Sequence, residues 1–290
     1  MAINHDDNPA EPNPARANAP NEGAPDAASP TVKKKRDWKA WLVFAGGAGA
    51  ILWGLLAAFG SGWGLWGWQS GFTGLLYSVI LAVVTLLVAA LIWWLHKRKS
   101  VHGNRPLHWI GVVLALVYVG YLGTLAMHAR SVPAIHDIST DLADPPAFRS
   151  LSLREDNWDN IPGEDDEDMR GLNPQQRWRR IHQDEYGDIR TVRVDRPVKE
   201  VMAKAERLAE DRGWDIAALR VAEGRMEAVA TTQMFGFKDD VVLRVKPTQD
   251  DKGSIVDMRS VSRVGQSDLG ANAERVQDFL ADLSGTVTAG

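Results

Sequence analysis

Three long apolar runs, residues 41–59, 72–95 and 109–127, stand ahead of a polar half that holds none. Each is close to the roughly 20 residues a helix needs to cross a ~30 Å hydrocarbon core. That length predicts three membrane-spanning helices within residues 38–128 and leaves roughly 110 residues after position 173 for one small water-exposed domain. The average composition, 45% hydrophobic and 24% charged, mixes a greasy half with a charged one. The net charge of −4 likewise shows no basic excess, so nucleic acid is not an expected partner. Cysteine is absent, which removes disulfides, thiolate metal sites and cysteine nucleophiles together.

Residues 1–32 are rich in Pro, Ala, Asn and Asp and lack an apolar stretch. They read as a disordered tail without the early hydrophobic region of a cleavable signal, so the first run is expected to act as an uncleaved anchor. Lys33, Lys34, Lys35, Arg36 and Lys39 precede that run, and Lys97, Arg98, Lys99 and Arg105 follow the second. Basic residues beside a span are retained in the cytoplasm. Both clusters can lie there only if the amino terminus is inside, which predicts a multi-pass protein of the bacterial inner membrane with a periplasmic carboxy-terminal half. The span interiors carry no Asp, Glu, Lys, Arg or His. Such groups mark ion and proton pathways, so the spans read as an anchor and not a conduit. Gly46, Ala50 and Gly54 form a small-residue stripe suited to close packing among the three helices or to self-association. The sequence sets no oligomeric state.

Residues 129–186 read as a proline-bearing connector whose acidic block, Glu164 to Asp168, lacks the alternation of a calcium loop and is expected to be a solvated spacer. Order is expected to resume over 187–285. Val192 and Val194 suggest a strand. Pro197 then opens a helix whose apolar stripe is Val198, Val201, Met202, Ala205, Leu208 and Ala209. Four strands follow at 214–221, 225–232, 240–245 and 254–263 with turn-length connections, then a helix capped by Asp268. The order strand, helix, four strands, helix predicts an α+β domain, an antiparallel sheet with both helices on one face.

Three blocks in that half carry a resemblance. They are Phe235-Gly236-Phe237-Lys238-Asp239-Asp240-Val241, then the segment from Val256 through Arg259 and Arg263 to Gly265, then Ser267-Asp268-Leu269-Gly270-Ala271-Asn272-Ala273. Together they resemble the bacterial and plastid family of domain of unknown function 1499. The upstream residues from Pro133 to Thr140 and Asp144 to Phe148 resemble its membrane-anchored branch. The resemblance spans residues 135–283. It implies no established activity. The chain lacks the Asn-Cys-Val-Ser-like segment of many members, so no thiol role carries over. The element order is also similar to helix-grip and TATA-protein-like folds, the first of which hold apolar ligands between sheet and helix. That is analogy at the level of fold alone.

Candidate binding residues cluster near those blocks. Asp257, Arg259 and Arg263 share one strand face, as do Asp240 and Arg244 on the neighbouring strand. If the faces coincide, opposite charges meet across the ladder, either as an ion-pair lattice or as a polar recognition surface. Asp239 points to the other face and cannot act with Asp240. Phe235 and Phe237 flank Gly236 as packing or rim aromatics; Asp268 and Asn272 stand at the start of the last helix. No catalytic constellation, metal site or cofactor is expected. The expected partners are the lipid bilayer and an envelope protein or lipid. The function read from the sequence is non-enzymatic binding or envelope assembly. The alternatives are a lipid or apolar small-molecule binder of helix-grip type and an envelope hydrolase using Asp240 and Arg259.

Overall fold

The computed structural model describes residues 37–99 and 105–285. The tail 1–32 and the cluster Lys33 to Arg36 lie outside the described residues, as does the segment 100–104. Three helices, α1 (Trp38–Gly62), α2 (Trp68–Lys99) and α3 (Arg105–Ser131), are long and apolar enough to cross a membrane. The side chain of Asp37 accepts from the Lys39 and Ala40 amides and caps α1.

Small residues bring the three helices together. A Cβ at Gly47 would collide with the carbonyl of Gly111, and one at Gly111 would meet the Val43 carbonyl, so α1 and α3 touch backbone to backbone. Ala50, Ala82 and Ala115 fill the centre. Gly54 makes room for the Tyr118 hydroxyl, which is 2.6 Å from the Ser78 hydroxyl. The stripe from Gly46 to Gly54 is thus engaged inside the bundle: Gly46 lies against Thr85, and Ala50 and Gly54 are buried.

The remaining strands and α-helices are β1 (Asp137–Ser139), α4 (Pro174–Glu185), β2 (Val192–Val194), α5 (Val198–Asp211), β3 (Asp215–Arg220), β4 (Arg225–Thr231), β5 (Lys238–Pro247), β6 (Ser254–Ser262) and α6 (Ala271–Ser284), with a 3-10 turn, Val221–Glu223, between β3 and β4. The sheet runs β1-β6-β5-β4-β3, with β2 also on β6, and every pairing is antiparallel. The expected α+β order appears as β2-α5-β3-β4-β5-β6-α6. Residues 129–186 are no mere connector, because they supply β1 on the sheet edge and the helix α4. That helix begins on a capping box between Asn173 and Gln176 with Pro174 in its first turn. It buries Trp178, whose indole N–H donates to the Asp137 carbonyl at 2.7 Å. The acidic block lies between, with Glu164 to Asp168 exposed. Behind it Arg177 donates to the carbonyls of Ile161, Pro162 and Leu172.

One face of the sheet is apolar. Met226, Val241, Leu243, Val245, Val256 and Met258 are buried there against Val201, Met202 and Ala205 of α5 and Val276, Phe279, Leu280 and Leu283 of α6. These side chains occupy the space where a helix-grip fold would hold a ligand. The packing argues against that alternative.

The domain is hooked to the bundle by the β4–β5 loop. The Phe235 amide donates to the Ala58 carbonyl at 2.9 Å, and the Ser61 hydroxyl donates to the Phe235 carbonyl at 3.0 Å. The Phe235 ring stacks on Phe72 of α2 at 4.4 Å between centroids, and Phe237 sits against Trp68 and Phe72. Gly62 allows this approach, since a Cβ there would overlap the Gln233 carbonyl. Phe235 has a φ of 62°, a strained position for a bulky residue that the stack and the two hydrogen bonds hold in place.

Candidate functional site

The charged faces of β5 and β6 coincide. Arg244 stands opposite Asp257, Val242 opposite Arg259, and Asp240 opposite Val261. The face is not open, however, because the chain at 140–157 folds over it. Arg244 donates to Asp257 at 2.9 Å, to Asp141 at 3.0 Å and to Asp144 at 2.8 Å. Burial alone would lower the Arg244 guanidinium, but these carboxylates, Asp257 first, outweigh it and hold its pKa above the ordinary value. Arg259 makes a two-pronged pair with Asp137, Nε to Oδ1 at 2.8 Å and Nη2 to Oδ2 at 2.6 Å, both side chains almost wholly buried. Asn157 adds a third donor to Asp137 at 2.8 Å. Neither Arg259 nor Asp137 can reach a molecule in solution. Ion pairs therefore engage most of the charged groups on this covered face.

This covering segment, 140–157, forms a lid that a buried carboxylate helps to hold. Glu227 on β4 is fully buried and accepts the backbone N–H groups of Arg149, Ser150 and Leu151, each at 2.8 Å. Arg225 beside it donates to the Ala147 carbonyl and lies 3.7 Å from Glu227; burial pushes its guanidinium below its usual pKa.

Where the lid reaches the bundle end of the sheet it leaves a cleft of about 370 Å³, walled by Phe148, Leu153, Arg154, Glu155, Asp240 and Arg263. Arg263 donates to Asp240 through Nε at 2.9 Å and Nη2 at 2.7 Å, and this bond holds its pKa above the usual value. Its side chain stays 40% exposed, while Asp240 is 8% exposed. Arg154 staples the lid to the β6–α6 loop through the carbonyls of Gly265 (2.7 Å) and Ser262 (3.3 Å). Its hydrogen bonds to Asp156 hold that carboxyl down at about 2. Glu155 is exposed and has no side-chain partner among the described residues. Two guanidinium groups and two carboxylates thus line one cleft with apolar walls.

The other expected site residues are structural. Asp239, on the opposite face from Asp240, pairs with Arg275 of α6 at 2.6 Å. Asn272 donates to the His136 carbonyl at 3.0 Å and to Ser262 Oγ at 2.9 Å, and accepts from the Ser260 hydroxyl at 2.6 Å. It ties α6 to the chain entering β1. Asp268 accepts from the Gly270 and Asn272 amides two residues ahead of the helix cap, and burial pushes its carboxyl above the usual range. Phe235 and Phe237 do not border the charged face; they are spent on α1 and α2.

Sequence reasoning missed Asp137, which pairs with Arg259 from the short strand β1, and Glu227 and Arg154, whose bonds run largely to backbone groups. It also missed a second cleft of about 530 Å³, lined in part by Asp141, His182, Tyr186 and Arg190. The buried His182 ring accepts the Ser139 amide at Nε2 (3.2 Å), and burial lowers its pKa. Among the described residues no group of three or more His, Asp or Glu side chains is placed to hold a metal ion.

Fold and site together define a small antiparallel α+β domain, with a lidded charged face, carried on three apolar helices. The chain belongs to the family described as "Protein of unknown function (DUF1499)", whose family model matches residues 137–283, just over half of its length. No curated protein and no solved structure matches it.

Proposed function

We propose that the chain is a non-enzymatic binding module of the bacterial inner membrane. Its domain faces the periplasm and takes a small zwitterionic group of an envelope lipid or protein. The cleft between Arg154, Glu155, Asp240 and Arg263 carries this reading. It lies at the bundle end of the domain, its lining charges are balanced, and Arg263 keeps Nη1 free of protein acceptors among the described residues. Against the hydrolase alternative, Arg259 is buried on Asp137 and cannot serve a substrate beside Asp240.

Titration of the detergent-solubilised full chain with glycerophosphoethanolamine tests the site. Saturable binding is expected, weakened about tenfold or more in Arg263→Gln, because a hydrogen bond to a charged group is worth about 1.5–3 kcal/mol. Equal binding by the variant would remove the cleft from the proposal. Orientation has a separate check, supported by the basic residues beside the spans. An alkaline phosphatase fusion after Asp141 is expected to be active, and one after Arg98 inactive. The reverse pattern would turn the protein over in the membrane.

A further inference from the structure

Among the described residues outside the three helices and the turn between α1 and α2, the exposed large apolar side chains are Val221, Met234, Val264 and Leu269. Three of these lie on two loops at one end of the domain, β4–β5 and β6–α6. Val221 lies at the other end, beyond the seven residues of β4, about 24 Å away at ~3.4 Å per residue. Both loops are fastened to the ends of apolar helices. The first is bonded to Ala58 and Ser61 of α1. At 1.5 Å per residue, Ala58 lies about 6 Å inside the end of that helix. The second packs where α3 ends: Ser267 Oγ is 3.5 Å from the Pro133 carbonyl, and a Cβ at Gly270 would touch Val132.

Leu269 adds a detail that packing inside the domain does not explain. Its φ is 57°, an unusual conformation for leucine, and the residue is 51% exposed. The strained turn points an apolar side chain outward on the end that meets the helices. Trp63 and Leu65 of the α1–α2 turn are exposed on the same side. Exposed cations flank these groups: Arg130 in the last turn of α3, and Lys238 directly after the β4–β5 loop, neither with a side-chain partner among the described residues. Apolar tips with basic neighbours match the layering of a leaflet surface, hydrocarbon beneath phosphate.

We infer that the domain does not hang free on its anchor: Met234, Val264 and Leu269 seat it in the headgroup layer of the bilayer that its own helices cross. The mouth of the Arg263 cleft would then open at headgroup height. The inference holds whichever side of the membrane the domain occupies, and it does not depend on what the cleft binds.

The absence of native cysteine makes the test direct. Full-length Met234→Cys, Leu269→Cys and Val221→Cys variants are labelled with an environment-sensitive nitrobenzoxadiazole. They are reconstituted one copy per nanodisc in phosphatidylcholine with phosphatidylglycerol. The labels at 234 and 269 are expected to emit further to the blue than the label at 221. They are also expected to be quenched several-fold more strongly by nitroxide-bearing lipids, and less by aqueous iodide. Iodide quenching at 269 and 234 equal to that at 221 would overturn the inference. So would a blue shift that appears only with two copies per disc, since the surface would then be a contact between chains.

Discussion

Replacing Arg259 with glutamine is expected to cost about 3–5 kcal/mol of domain stability, the usual result of stranding one member of a buried ion pair. Asp137 would keep Asn157 as a donor but lose two charge-assisted bonds in a place where water cannot replace them. Pulse proteolysis of the full chain across a urea series reads the loss as a lower midpoint. The double variant Asp137→Leu with Arg259→Met is expected to recover part of it, because two apolar side chains leave no charge unpaired while the buried Asn157 amide loses its acceptor. An unchanged midpoint for Arg259→Gln would mean that Arg259 is solvated and available for chemistry, and would restore the hydrolase alternative. The comparison therefore separates a structural arginine from a catalytic one without a known substrate.

Much of the domain was legible because its elements are half-buried. Val198, Val201, Met202 and Ala205 repeat at helical spacing since α5 has one face on the sheet. Val241, Leu243 and Val245 alternate with Asp240 and Arg244 since β5 has one face on the helices. The same parity put Asp240, Arg244, Asp257 and Arg259 on one surface, and the register agrees. What parity does not carry is whether a surface is covered. The cover here is irregular chain, 140–157, held in part through backbone N–H groups that leave no pattern in side chains. The helix α4 had a readable start in Asn173-Pro174 and Gln176, but few of its side chains point inward, so no long apolar stripe announces it. The strand β1 is three residues long, and its polar Asp137 and Ser139 are buried by partners distant in sequence. Phe235 and Phe237 showed that something would be packed. Only the fold shows that Phe72 and Trp68 receive them, across Gly62.

The lid gives the second large expectation. In Glu227→Ala the N–H groups of Arg149, Ser150 and Leu151 lose their acceptor at once. A donor left buried without a partner costs about 1–3 kcal/mol, so the segment gains by lifting into water instead of staying in place. The expected outcome is a loss of roughly 2–3 kcal/mol of domain stability together with many-fold faster protease cleavage within residues 143–156. Glu227→Gln should fall between, since its amide nitrogen would face donors where a carboxylate oxygen now accepts. Phe148, Leu153, Arg154 and Glu155 form the outer wall of the cleft, so lifting the lid takes that wall away. Binding that depends on Arg263 should then fail in Glu227→Ala even though Arg263 and Asp240 are untouched. Cleavage at the wild-type rate, with binding intact, would show that the lid stays down without Glu227.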